Sequence, residues 1–169
     1  IKTPFLKHIL NSSGILNYPE AQFDMVRLGI GLYGIGSEKL QNCSALKSVI
    51  SQIKEVPKGE SIGYNRTYYA DKNIRIGIIP IGYADGLNRG LSNGKGHVFI
   101  QDEKAAIIGN VCMDMCMIDL RNIDAKEGDE VTIWNTQNHI HDMANTLNTI
   151  PYEILTNVSQ RVKRVFLQE

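Results

Sequence analysis

Cysteine is scarce in this 169-residue chain, and its count is odd: Cys43, Cys112 and Cys116. A disulfide framework needs paired thiols at dense spacing, so this set points to free thiols in a reducing cytoplasm. Long apolar runs are missing as well. No stretch approaches the roughly 20 residues that span a bilayer, so no membrane partner is expected. The opening Ile1-Lys2-Thr3-Pro4-Phe5 has no charged segment followed by an apolar one, hence no signal-peptide character. It also lacks an initiator methionine, which reads as a fragment or a processed product. Neither charge is in excess, because 18 Lys plus Arg balance 18 Asp plus Glu. Nucleic-acid binding draws on a basic patch, and this balance argues against such a partner.

What the chain does have is glycine, turns and short β-branched runs, with a change of texture near residue 40. Met25-Val26-Arg27-Leu28-Gly29-Ile30-Gly31-Leu32-Tyr33-Gly34 is too glycine-rich for a helix interior, where each glycine costs about 1 kcal/mol against alanine. It reads as a short strand entering a tight turn, with Ser37 to Asn42 as a polar linker. From Ala45 onward the pattern is β. Strands are predicted over Leu46 to Val56, Ile74 to Ile81, Val111 to Leu120 and Val131 to Trp134. His97 to Ile100 and Ala105 to Ile108 flank a polar turn and predict a hairpin. Asp142 is placed as the cap of a helix through Leu147, and Pro151 as the first residue of another reaching about Val158. Arg161 to Leu167 returns to an extended alternation. Many short strands between turns argue for a β-barrel or sandwich.

The chemistry-bearing clusters are modest taken singly. Cys112 and Cys116 flank Met113-Asp114-Met115 on a predicted strand, both facing one side, and read as buried packing residues. Neither they nor His139-Ile140-His141, read as a solvated loop, supply the donors a zinc site needs, so no metal is expected. Gly29, Gly31, Gly34 and Gly36 do not follow a dinucleotide fingerprint. Asn11-Ser12-Ser13 lies shortly before them, however, and hydroxyls with glycine amides can bind a phosphate. Gly63-Tyr64-Asn65-Arg66-Thr67-Tyr68-Tyr69 is dense in phenols, and a phenol acts as a base only where cations or donors stabilise its anion. Pro80-Ile81-Gly82-Tyr83-Ala84-Asp85-Gly86 follows an apolar strand, a common place to build a site.

Together these segments resemble the alanine racemase family. The resemblance is carried by Asn11-Ser12-Ser13, Val26 to Gly34, Gly63 to Tyr68 and Ile79 to Gly86. It continues through Gly109-Asn110-Val111-Cys112-Met113-Asp114, then Ile150 to Ile154 and Ser159 to Val165. The motifs stand in the family's order and cover nearly the whole chain. The resemblance implies a mainly β, barrel-like carboxy-terminal domain with short helices over residues 39–169. Residues 1–38 would then be the last strands and loops of a (β/α)8 barrel that binds pyridoxal 5'-phosphate. Such barrels hold ligands at the carboxyl ends of their strands.

The resemblance also implies roles. Ser12, Gly29, Ile30 and Tyr152 match phosphate-binding positions, and Arg27 matches the arginine facing the cofactor's pyridine nitrogen. An arginine there stays charged, so the ring nitrogen stays unprotonated. Tyr64 matches one of two bases, because racemisation moves protons on both faces of the substrate Cα. In the family this tyrosine serves the partner subunit's cofactor in a homodimer. Met113 matches a residue whose backbone approaches the substrate carboxylate, while Tyr83 and Arg89 match the entrance channel. The implied enzyme interconverts L- and D-alanine and supplies D-alanine for bacterial peptidoglycan.

One departure is plain. The family's cofactor lysine lies in an amino-terminal motif resembling VKANAYGHG, and neither Lys2 nor Lys7 has that context. The chain alone is therefore expected to be inactive and to bind little cofactor. Two alternatives stand beside this reading: a non-catalytic β-barrel interaction module, and racemisation of serine or another small amino acid. A pocket tells one methylene from none by only about 1–3 kcal/mol.

Overall fold

The computed structural model describes residues 3–167, so Lys2 lies outside the described residues. The chain divides into two units, Ile1–Ser44 and Ala45–Glu169. The second is built on strands β1 (Leu46–Val49), β2 (Gln52–Val56), β5 (Ile74–Ile79), β6 (His97–Ile100), β7 (Glu103–Ile108), β8 (Cys116–Asp119) and β9 (Glu130–Trp134). They form one 7-stranded sheet in the order β1-β9-β6-β7-β8-β5-β2. The pairs are antiparallel throughout. A two-stranded ribbon, β3 (Ser61–Ile62) with β4 (Tyr68–Tyr69), accompanies it.

The sheet is curled, and the connection from β1 to β2 shows it. These strands are the two edges of the sheet, and laid flat the edges would stand about 29 Å apart. The chain from Val49 to Gln52 spans at most about 11 Å. Ile50 donates its N–H to Asp129, on the β9 side, and Ser51 donates to Ile78 of β5. The edges thus meet at this link and the sheet bends round a core. Ile50, Ile79, Val98, Ile100, Ile107, Ile118, Val131 and Ile133 are all buried in it. A second cluster packs Val56, Ile62, Ala70, Ile74, Ile76 and Met117 beneath the ribbon. The expected barrel-like β domain is present.

Several local expectations need correction. The predicted strand over Leu46–Val56 is two strands split at the edge crossing. Val111 to Leu120 forms a strand only over Cys116–Asp119, because residues 112 and 113 give their carbonyls to Tyr83 and Ala84 instead of a sheet ladder. Cys112 therefore lies in a loop and does not share a strand face with Cys116. Met25 to Gly34 is no strand. Gly29 leads into a short 3-10 turn, Ile30–Tyr33, closed by Gly34 at φ 76. A Cβ at Gly34 would collide with the backbone of Gln41, so only glycine fits that close approach.

The helices also shift. A short helix, α1 (Ser12–Asn17), is capped by the side chain of Asn11. The expected start at Asp142 is wrong: α2 spans Gln137–Thr146, with the Thr136 hydroxyl accepting from the His139 N–H. His139-Ile140-His141 is therefore helical and not a solvated loop, since Ile140, Met143 and Ala144 turn one face into the core. The last helix, α3 (Pro151–Thr156), begins on Pro151 as expected. Residues 161–167 make no strand. Arg164 instead donates to the carbonyls of Val158, Ser159 and Val162, folding the segment onto itself.

Candidate active site

Three loops of the second unit converge on an open cleft of about 500 Å³. The first is the turn between β3 and β4, which carries Tyr64 and Asn65. The second follows β5 and carries Tyr83 and Arg89, and the third runs from Asn110 to Met115. Four residues singled out in the sequence, Tyr64, Tyr83, Arg89 and Met113, thus line one cleft. Tyr64 is 72% exposed, and Tyr83 and Met113 are about half exposed, at 48% and 53%. Among the described residues Arg89 forms no salt bridge, and it shares the cleft with Asp114, whose carboxylate pairs with Arg161.

The walls are held from behind. Tyr83 and Ala84 donate their N–H groups to the carbonyls of Cys112 and Met113, each at 3.0 Å. This stitching requires close backbone approach, and a Cβ on Gly82 would strike both of those carbonyls. Arg161 then bridges the two loops, with Nε 2.7 Å from Asp85 and a terminal nitrogen 2.5 Å from Asp114. Burial alone would raise the Asp85 carboxyl. Bonds from Arg161 and from the Gly82 N–H outweigh it and hold Asp85 below the usual carboxylate range. Cys112, also on the cleft, has its thiol pushed up by burial despite the nearby Arg89.

The turn that presents Tyr64 is strained. Gly63 has φ 77, and the non-glycine residues Asn65 and Arg66 sit at φ 60 and φ 50. Left-handed backbone costs a non-glycine residue about 1 kcal/mol or more, and such strain gathers at functional sites. The buried Asn110 side chain bonds to this turn through the Tyr64 carbonyl. Sequence reading assigned no role to Asn110, Asp85, Asp114 or Arg161. For Asn110 the sequence offers only an amide following a glycine, Gly109-Asn110. Nothing local marks the Arg161 pairings.

In the first unit, Ser12 is buried, and its Oγ accepts from the N–H groups of Gly29 at 2.9 Å and Gly31 at 3.2 Å. Ile30 lies between these donors with its side chain buried. Arg27 is close by, its N–H on the Leu10 carbonyl and its guanidinium on the Ile9 carbonyl at 2.9 Å. The structure therefore gathers Ser12, Arg27, Gly29 and Ile30. Tyr152 stands apart from the cleft at the start of α3, 43% exposed.

Comparison with known proteins adds a lineage to this geometry. Residues 43–166 match the family model described as "Alanine racemase, C-terminal domain", and residues 1–37 match "Alanine racemase, N-terminal domain". The chain belongs to the alanine racemase family. It is 42% identical to the alanine racemase of Thermodesulfovibrio yellowstonii, over 97% of this chain and 46% of that one. With the alanine racemase of Helicobacter pylori (strain Shi470) it shares 42% identity, over 95% of this chain and 47% of the relative. Among solved structures, the alanine racemase of the D-cycloserine producer Streptomyces lavendulae superposes at TM-score 0.90 with 32% identity, covering 99% of this chain and 47% of its own. That of Bartonella henselae, described with covalently bound pyridoxal phosphate, superposes at TM-score 0.89 with 31% identity, covering 98% and 48%. This racemase-family chain spans about half the length of the curated relatives it matches.

Proposed function

We propose that this chain is the carboxy-terminal β domain, with the end of the cofactor barrel, of a pyridoxal phosphate-dependent alanine racemase. In this reading residues 1–38 belong to the barrel and residues 39–169 to the β domain. The gathering of Tyr64, Tyr83, Arg89 and Met113 on one cleft is the observation that carries it.

The first unit offers groups that fit the cofactor. The Gly29 and Gly31 N–H groups now donate to the Ser12 Oγ, so a hydroxyl and two amides lie together, and a phosphate would take donors of this kind by displacing those internal bonds. Ser12, Gly29 and Ile30 would hold that phosphate, while Tyr152, in the other unit, is assigned to it by the family resemblance alone. Arg27 would face the ring nitrogen. When bound, pyridoxal phosphate withdraws electrons from the amino acid and acidifies its Cα–H. The lysine that anchors it covalently lies outside this chain, so the isolated chain is inactive in this reading.

Tyr64 moves the proton on one face of the substrate Cα, and the anchoring lysine moves it on the other. A symmetric exchange between L- and D-alanine needs both positions filled. Arg89 draws the substrate carboxylate into the cleft by charge. Met113 then binds that carboxylate through its N–H, since its carbonyl is already engaged by Ala84. Tyr64 projects into solvent, which accords with delivery to the cofactor of a partner subunit in a homodimer. The product D-alanine would feed peptidoglycan synthesis in the bacterial cytoplasm.

The test is racemisation by the complete, cofactor-loaded enzyme. Tyr64→Phe should lower kcat by about a thousandfold in both directions, the range of a lost general base. Activity within a few-fold of the parent would refute the assignment.

A further inference from the structure

Asn110 is 6% exposed, and both ends of its amide are hydrogen-bonded, to two different segments. Nδ2 donates to the Tyr64 carbonyl at 2.9 Å. Oδ1 accepts from Nδ2 of Asn93 at 3.2 Å. The Tyr64 carbonyl can only accept, so it fixes which end of the Asn110 amide is nitrogen, and Asn93 completes the other end. The bond joins residues 46 apart in the sequence.

The approach behind this bond is unusually close. A Cβ on Gly109 would lie 2.9 Å from the Ile62 carbonyl oxygen, and one on Gly63 would lie 3.4 Å from the Asn110 nitrogen. Two glycines thus bring the Tyr64 turn down onto residues 109–110. That turn is left-handed at Gly63, Asn65 and Arg66, a shape a free peptide would leave. Behind it the network runs into the barrel. Asn93 donates its N–H to the Gly109 carbonyl, Gly94 donates to Ile107 of β7, and the Ser92 hydroxyl accepts from the Val111 N–H.

We infer that Asn110, oriented by Asn93, is a positioning residue that holds the strained turn and so places the Tyr64 phenol for proton transfer. The inference rests on the proposed role of Tyr64 as a base. Asn110 itself touches the peptide carbonyl of Tyr64. Its loss moves the phenol without removing it, so the step that Tyr64 performs slows while the step performed from the opposite face does not. A displacement of about 1 Å in a reacting group costs up to about a hundredfold in rate.

The experiment compares Asn110→Ala, Asn93→Ala and Tyr64→Phe in the complete, cofactor-loaded enzyme. It measures kcat, KM and the Cα-deuterium isotope effect in both directions of racemisation. Asn110→Ala should lower kcat about 30-fold with KM changed less than about threefold, and Asn93→Ala should show a smaller loss of the same kind. The isotope effect should rise only in the direction in which Tyr64 removes the labelled proton. An isotope effect raised in both directions, an unchanged kcat, or a rise in KM alone overturns the inference. Should Asn110→Ala fail to fold, the exposed Asn93→Ala is held to the same criteria. Full activity in Tyr64→Phe sinks the base assignment and this inference with it. An inactive Tyr64→Phe beside an unaltered Asn110→Ala sinks the inference alone.

Discussion

Arg161 and Asp85 stand 76 residues apart in sequence, yet the guanidinium Nε sits 2.7 Å from the carboxylate. The same guanidinium reaches Asp114, so one side chain clamps both loops that carry Tyr83 and Met113. Its hydrogen bonds to Asp85 and Asp114, helped by their charges, hold Arg161 above its ordinary value. Replacing Arg161 with Gln should let these loops part and lower kcat/KM of the proposed racemase by about tenfold, mostly through KM. An unchanged KM would show that the clamp does not shape the cleft. Because the folded Asp85 is held below its ordinary value, its contribution to stability is present above about pH 4 and fades as the pH falls through the folded value.

The glycines of the second unit should separate by what surrounds them. A Cβ on Gly82 would strike the carbonyls of Cys112 and Met113, whereas at Gly94 a Cβ meets nothing within 4 Å despite φ +81. Gly82→Ala should therefore cost about 2–3 kcal/mol by forcing backbone apart. Gly94→Ala should cost only about 1 kcal/mol, the backbone term alone. Urea unfolding of both variants checks this order, and equal losses would contradict it.

These contrasts show which parts of the molecule the sequence makes legible. The β6–β7 hairpin was readable because its β-branched runs bracket a polar turn. Its tightness, with Gln101 and Asp102 at φ 49 and φ 67, was not, since neither residue announces a left-handed turn as glycine does. Helix α2 was misplaced because Asn, His and Thr form helices poorly. The spacing of Ile140, Met143, Ala144 and Leu147 was the stronger signal. At the cleft, resemblance pointed to Tyr64 and Met113. Asn110 and Arg161 act through partners 46 to 76 residues away, and a single sequence carries no trace of such pairing.

His139 illustrates the consequence of that misplaced helix. Its ring stacks on Phe99 at 3.9 Å, and His97 meets Phe99 edge-on at 5.1 Å. Burial lowers both imidazoles below their ordinary value, with Lys104 pushing further down while Asp142, and for His139 also Asp102, pull back up. Both histidines thus favour the neutral form when folded. Their contribution to stability is complete above about pH 6.5 and is lost as the pH falls through the lower folded values. The melting temperature should drop between pH 7.5 and pH 5, and His139→Phe should flatten that drop by a few degrees. An identical pH profile in the variant would mean that the stack bears no proton-linked stability.

The cysteines offer the most direct reading of burial. Cys43 is exposed, Cys112 is half-buried on the cleft, and Cys116 is completely buried in β8. A thiolate is the reactive form, and burial pushes the Cys116 thiol up to about 12, so almost none ionises at neutral pH. Alkylation of the folded chain should modify Cys43 first and Cys112 more slowly, at a rate that rises with pH because its thiol too is raised. Cys116 should react only when urea opens the barrel. Mass spectrometry of tryptic peptides along a time course gives all three rates. Labelling of Cys116 at the rate of Cys112 without denaturant would place β8 in a region that opens locally, contrary to its position between β7 and β5 inside the sheet.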